Sequence, residues 1–61
     1  MVVGDLVKFK FTFELPGGKF INRGDIGIIE SKAMWWVNIL HVDSGEYITT
    51  KQSSIEKLEE L

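Results

Sequence analysis

Apolar and polar residues alternate along residues 7–13, and this alternation restricts the fold more than any other feature of the chain. The apolar positions are Val7, Phe9, Phe11 and Phe13, and the polar positions between them are Lys8, Lys10 and Thr12. Successive side chains of a β-strand point to opposite faces, whereas a helix would scatter these apolar residues around its circumference. The pattern therefore predicts a first strand that buries all four apolar side chains.

The segment after this strand is rich in turn-forming residues. Residues 15–19 contain a proline, which lacks a backbone donor, and two glycines, which accept positive φ values. We expect a loop or a wide hairpin that extends to residue 25, with Phe20 or Ile21 packed back on the core. Residues 24–31 then predict a second β segment, in which Gly27 marks a close approach of two backbones.

Two further strands and a tight turn follow. Residues 34–42 are mostly apolar and predict a third strand. Residues 43–45 (Asp-Ser-Gly) predict a hairpin turn in which Gly45 adopts the left-handed conformation. Residues 46–50 are rich in β-branched and aromatic side chains, so we expect them to pair back as a fourth strand.

The last residues fit two structures. Ser53 and Glu56 have the spacing of a helix capping box. Ile55, Leu58 and Leu61 recur every three residues, which suits either a short helix or a single 3₁₀ turn followed by a short strand. Because so few residues make an isolated helix marginal, we favour the turn and a closing strand.

The size and composition of the chain limit its function. Its 61 residues, 44% of them hydrophobic, predict a single domain over residues 1–61 with a small core. Such a chain has little framework for an active site, so we expect a non-catalytic protein without a cofactor. There is no cysteine and one histidine, His41, which excludes disulfides and argues against a zinc site. With no apolar run near the roughly 20 residues of a membrane span and no leader segment, we expect a cytoplasmic protein.

Several short segments resemble Src-homology-3-like barrels. Residues 3–7 (Val-Gly-Asp-Leu-Val) look like the opening of such a barrel, and residues 24–29 (Gly-Asp-Ile-Gly-Ile-Ile) resemble the core of the KOW motif. Residues 37–45 and 54–58 resemble the ends of KOW and Tudor domains. The resemblance implies an all-β, Src-homology-3-like barrel of about five strands with one short 3₁₀ or helical turn before the last strand. Stand-alone domains of this size resemble small phage and bacterial proteins.

The pair Trp35 and Trp36 points to an interaction surface. Adjacent strand residues face opposite sides, so the alternation predicts Trp35 inside and Trp36 outside, with Ile48 and Thr50 inside across the hairpin. The outer face would then carry an apolar patch with polar residues at its rim, formed by Trp36, Leu40, Tyr47, Lys10 and Arg23. Because exposed aromatic residues often anchor interfaces, we expect this patch to bind another protein. The alternative is that the barrel bends strongly and half-buries these side chains under the loop of residues 14–22 or under the C-terminal segment.

Two other functions remain open from the sequence. Nucleic-acid binding would use cations that track a phosphate backbone, namely Lys8, Lys10, Lys19 and Arg23. The net charge of −2 and the pI near 5.2 disfavour this function. The third hypothesis is a structural homodimer formed through the apolar patch. We assign residues 23–25 to a turn and His41 to the edge of the hairpin.

Overall fold

The computed structural model describes residues 2–58, and most of them belong to β-strands. The strands are β1 (Leu6–Phe9), β2 (Phe13–Leu15), β3 (Lys19–Ile21), β4 (Ile26–Lys32), β5 (Trp36–His41), β6 (Tyr47–Lys51) and β7 (Ile55–Lys57). One 3₁₀ turn, Gln52–Ser54, connects β6 to β7. The predicted all-β class and the turn before the last strand are therefore confirmed. Within residues 2–58 there is no helix long and apolar enough to span a membrane.

Five strands form one antiparallel sheet in the order β6–β5–β4–β1–β7, and β2 pairs with β3 in a separate two-stranded sheet. β1 lies between β4 and β7, with Val7 opposite both Gly27 and Lys57. The sheet is open, because no pairing among the described residues joins its edge strands β6 and β7. This strand order is compatible with a Src-homology-3-like fold, although the pairing does not close the sheet into the predicted barrel.

One face of the five-stranded sheet carries the core. Its buried apolar side chains are Val7, Phe9, Ile29, Val37, Ile39, Ile48 and Ile55. The β2–β3 hairpin adds the buried Ile21 and the half-buried Phe13 and Leu15. The ring of Phe13 meets that of Phe9 edge-on, with the ring centroids 5.8 Å apart. The small hairpin therefore supplies three side chains to the core of the larger sheet.

Gly27 allows β4 to pack closely against the core, as predicted. A Cβ atom at this position would collide with the side chain of Ile39. It would also lie 3.2 Å from the carbonyl oxygen of Leu40 and from the ring of Phe9. Glycine is required here because there is no space for a methyl group.

The first strand is shorter than predicted, and Phe11 does not join the core. β1 ends at Phe9, whose carbonyl accepts a 2.8 Å hydrogen bond from the amide of Gly24 and whose amide donates to the carbonyl of Asp25. Residues 10–12 then bend toward β2, so that Phe11 is 56% exposed. The prediction of a buried Phe11 was wrong because alternation alone does not reveal a bend between two strands.

The segment of residues 15–25, predicted to be a loop or a wide hairpin, belongs to the β2–β3 hairpin in its first part. β2 pairs with β3 so that Leu15 lies opposite Lys19 and residues 16–18 form the turn. Ile21 is fully buried whereas Phe20 is exposed, which confirms that one of these two residues packs on the core. The expected loop is therefore shorter than predicted, since β3 occupies part of it.

Trp35 lies outside the sheet, and its predicted burial was wrong. β5 begins at Trp36, and residues 33–35 form the connection from β4, closed by a 2.8 Å hydrogen bond from the amide of Ala33 to the carbonyl of Trp36. The alternation ends where the strand ends, so Trp35 is 72% exposed. From Trp36 onward the predicted facing is confirmed, including both inward positions of β6.

His41 lies in the interior rather than at the edge of the hairpin. It is the last residue of β5 and is only 4% exposed. The same alternation that places Val37 and Ile39 inside also places His41 inside. The assignment of His41 to the hairpin edge was therefore wrong.

The C-terminal segment forms the favoured turn and strand. The 3₁₀ turn follows Lys51 and makes no side-chain capping hydrogen bond, so the capping box of Ser53 and Glu56 is not formed. Glu56 instead lies on β7 opposite Lys8. Leu61, the last residue of the predicted apolar spacing, lies outside the described residues.

Candidate interaction surfaces

The three apolar residues predicted to form one outer patch lie at two ends of β5, whereas the predicted rim residues Lys10 and Arg23 line a separate groove. Leu40 is opposite Tyr47 on β6, whereas Trp36 is the first residue of β5. A polar pair lies between these ends, because the hydroxyl of Thr49 donates a 3.3 Å hydrogen bond to Oδ1 of Asn38. The structure therefore divides the predicted patch into two surfaces.

Trp36 belongs to an open groove beside the β4–β5 connection, which we call the tryptophan groove. It has a volume of about 570 Å³ and is lined by Met34, Trp35, Trp36, Lys51, Gln52 and Ser53. Met34 is 80% exposed and Trp35 is 72% exposed. Neither residue is among those predicted from the sequence to form a site. Recognising that the strand begins at Trp36 would have revealed both.

β6 and the 3₁₀ turn form the other wall of the tryptophan groove. Lys51 is opposite Trp36 in the β5–β6 ladder, and its Nζ lies 5.9 Å from the centroid of the Trp36 ring. Within residues 2–58, Lys51 makes no ion pair with a carboxylate. Exposed apolar surface beside an unneutralised cation suits a ligand that carries an apolar group next to a negative charge.

Three of the predicted cations meet in a second groove, which we call the basic groove. It has a volume of about 870 Å³ and is lined by Lys8, Phe9, Lys10, Phe11, Thr12, Arg23, Gly24 and Glu56. The bend after β1 and the turn before β4 approach each other here, because the amide of Arg23 donates a 3.2 Å hydrogen bond to Oγ1 of Thr12. The bend that removes Phe11 from the core thus places its ring in a groove with cations.

The charges of the basic groove are only partly balanced. Nζ of Lys8 lies 3.9 Å from Oε2 of Glu56, and both side chains are exposed, so this pair is weak. Lys10 and Arg23 make no ion pair within the part of the chain that the structure describes. The lining of the groove therefore carries more positive than negative charge, although the whole chain carries a net charge of −2.

Lys19 lies apart from the basic groove. Its Nζ donates a 2.8 Å hydrogen bond to Oε1 of Glu46. This contact raises the pKa of Lys19 above its usual value and lowers the pKa of Glu46. The pair links the β2–β3 hairpin to the β5–β6 connection, so the predicted set of four cations is reduced to three.

His41 joins Asp25 and Ser44 in a hydrogen-bonded cluster, which we call the polar clamp. The hydroxyl of Ser44 lies 2.6 Å from Nδ1 of His41, and the amide of Ser44 donates to the same atom at 3.3 Å. Because two donors face Nδ1, we place the imidazole proton on Nε2. This nitrogen donates a 2.9 Å hydrogen bond to Oδ2 of Asp25. The amide of Asn22 and then the imidazole lower the pKa of Asp25.

The polar clamp holds the β5–β6 connection in place. Serine, histidine and aspartate also form catalytic triads, but here the hydroxyl of Ser44 accepts a 3.2 Å hydrogen bond from the amide of Glu46 while it contacts His41. Asp43 brings a second carboxylate to within 4.8 Å of the cluster, as in some metal sites. Because the ring nitrogens of His41 are both hydrogen-bonded within the chain, we assign the clamp to folding stability.

Comparisons with protein-family models, with curated proteins and with solved structures found no match to this chain. The functional interpretation therefore rests on the surfaces of the molecule itself.

Proposed function

We propose that this chain is a Src-homology-3-like, non-catalytic domain that binds a segment of another protein in the tryptophan groove. The observation that carries this proposal is the exposure of Met34 and Trp35 side by side in the β4–β5 connection. Large apolar side chains in contact with water mark interaction surfaces, and tryptophan is among the strongest interface anchors. The short strands, the strand order and the 3₁₀ turn before β7 support the choice of fold.

The chemistry of the tryptophan groove limits the partner. Its apolar wall suits an aliphatic or aromatic side chain, and the ammonium group of Lys51 suits a neighbouring carboxylate. Gln52 and Ser53 add groups that can hydrogen-bond to an extended backbone. The expected ligand is therefore a short extended peptide with an apolar residue next to an acidic one.

A displayed random-peptide library, selected on the purified chain, tests this proposal. We expect the selected peptides to share an apolar residue next to Asp or Glu. The Trp35→Ala variant should bind them at least tenfold more weakly, as measured by fluorescence anisotropy. The matched control is Phe20→Ala, which removes another exposed aromatic side chain, from the β2–β3 hairpin.

Two results would contradict the protein-binding proposal. The first is a selection in which no peptide binds this chain more tightly than it binds an unrelated protein. The second is that the Trp35→Ala variant, still folded by circular dichroism, binds the selected peptides as tightly as the unmodified chain does.

The basic groove favours a second candidate function, the binding of single-stranded nucleic acid. Lys8, Lys10 and Arg23 would contact phosphates while a base stacks on the exposed ring of Phe11. Binding of a labelled oligonucleotide at low salt should weaken in the Arg23→Gln variant and fall steeply with added salt. The control is Lys19→Gln, which removes a cation outside the groove. Equal losses in the two variants, or no binding at low salt, would rule this function out.

A further inference from the structure

Apolar residues form a continuous row across the outer face of the five-stranded sheet. The register places Leu6 opposite Ile28, Ile28 opposite Leu40, and Leu40 opposite Tyr47. On the other side of β1, the amide of Leu58 donates a 3.0 Å hydrogen bond to the carbonyl of Leu6. With neighbouring strands about 4.8 Å apart, this apolar row is about 19 Å long and crosses the whole sheet.

The apolar row is accessible to solvent. Tyr47 is 64% exposed and Leu6 is 49% exposed, while Ile28, Leu40 and Leu58 are half-buried. The inner face of the same sheet packs in the core, whereas the outer face contacts solvent. A contiguous apolar band on an outer face, as opposed to single apolar residues, indicates a surface that is covered by a partner.

The charges around the apolar row are balanced within the chain. On β1 and β7, the outward charged residues next to the row are Lys8 and Glu56, which lie opposite each other, with Nζ of Lys8 3.9 Å from Oε2 of Glu56. On β5 and β6, the outward residues next to Leu40 and Tyr47 are Asn38 and Thr49, an uncharged pair joined by a hydrogen bond. A highly charged partner would find no complementary charge on this face, whereas an identical face would meet no net repulsion.

We propose that the outer face pairs with the same face of a second copy of the chain, so that the two apolar rows cover each other in a homodimer. A two-fold interface uses one patch twice, and a patch without net charge satisfies that symmetry. The two larger dimensions of the domain are 32 and 27 Å. A face of this size can supply the roughly 600–800 Å² per partner that stable dimers bury. The added burial would also offset the small core of a chain of this length.

The mass of the full chain in solution, measured by sedimentation velocity over a wide concentration range, tests the homodimer. We expect the mass to rise from 7.0 kDa to twice that value as the concentration increases. The variants Leu6→Lys and Tyr47→Lys place a charge at two exposed positions of the row. Each should weaken the dimer at least tenfold, because the symmetric interface buries the introduced charge twice among apolar side chains. Phe20→Lys is the matched control, since it changes an exposed apolar residue away from the row.

Chemical unfolding shows whether a row variant has lost dimerisation or has lost its fold. The unfolding midpoint of the unmodified chain and of Phe20→Lys should rise with protein concentration, whereas the midpoint of the row variants should not. A monomeric mass at every concentration would overturn the proposal. So would a dimer that both row variants retain, or a series of larger species, which would indicate pairing through the sheet edges. None of these results depends on peptide binding in the tryptophan groove, so the two proposals fail separately.

Discussion

The two connections at the ends of β5 are built in opposite ways. The β4–β5 connection is closed by one backbone hydrogen bond, from Ala33 to Trp36, and it exposes Met34 and Trp35. The β5–β6 connection has two backbone hydrogen bonds to His41, and the polar clamp ties it to Asp25. One end of the strand therefore contributes to stability, while the other presents apolar surface to solvent. Substitutions at the two ends of β5 should therefore distinguish effects on folding stability from effects on binding.

The largest difference is expected between His41→Ala and Trp35→Ala. Removing the buried imidazole leaves a cavity and unpaired partners, so we expect a loss of about 3 kcal/mol in the free energy of unfolding. Trp35 is exposed, and its replacement should change that free energy by less than about 0.5 kcal/mol. Urea unfolding followed by circular dichroism measures both. Equal destabilisation by the two variants would show that Trp35 also supports the fold.

A smaller effect is expected for the turn of the clamped connection. Gly45 has φ = +74°, in the left-handed region that side chains with a Cβ disfavour. We expect Gly45→Ala to cost about 1–2 kcal/mol, and Gly45→Asn to cost less because asparagine tolerates this region better. Thermal unfolding of the two variants gives the comparison. An alanine variant as stable as the unmodified chain would mean that the turn can adopt another conformation.

The smallest expected effect is on the pH dependence of the free energy of unfolding, and it concerns Asp25 of the polar clamp. The pKa of Asp25 lies below its ordinary value of 3.8, so the unfolded chain takes up this proton first as the pH falls. The stability that Asp25 contributes is complete above the unfolded pKa and is lost as the pH falls through the folded one. The stability difference between the unmodified chain and Asp25→Asn should therefore shrink as the pH falls below about 5.

Urea unfolding at several pH values measures this difference. The pKa values of Asp5 and Glu46 are also lowered, so the pH dependence of the unmodified chain alone would not give the contribution of Asp25. Glu14→Gln serves as the control, because within the described residues the Glu14 carboxylate makes no hydrogen bond or ion pair. A difference for Asp25→Asn that stays constant with pH would contradict the role of the carboxylate in the clamp.

Alternation in the sequence predicted the inward and outward positions of β1 and β6 and most of those of β5. It correctly assigned Val7 and Phe9 to the core, and it correctly oriented β5 from Trp36 onward. It failed at Phe11 and Trp35, which lie just beyond the end of a strand. The pattern of side chains continues there although the ladder of backbone hydrogen bonds does not. Strand ends depend on pairing between distant residues, which a local pattern cannot show.

The candidate sites were less accessible to prediction for the same reason. Lys8 and Lys10 are close in sequence, but Arg23 reaches them only because the chain bends after β1 and returns at the turn before β4. Lys19 has the same charge and lies nearby in sequence, yet its partner Glu46 comes from another hairpin. The sequence could suggest which residue types form a surface, but their grouping depends on the tertiary structure.

The position of β1 between β4 and β7 has a consequence for the kinetics of folding. β4, β5 and β6 pair with strands that are adjacent to them in sequence. β1 pairs with β7, the last strand, so that Val7 lies opposite Lys57 and the pairing closes a long loop. Closing a long loop costs chain entropy before the new contacts compensate for it, which slows folding to about milliseconds to seconds. The β4–β6 meander should therefore form in the transition state and β7 should dock afterwards. In stopped-flow experiments, Ile39→Val would then slow refolding, whereas Ile55→Val would mainly accelerate unfolding.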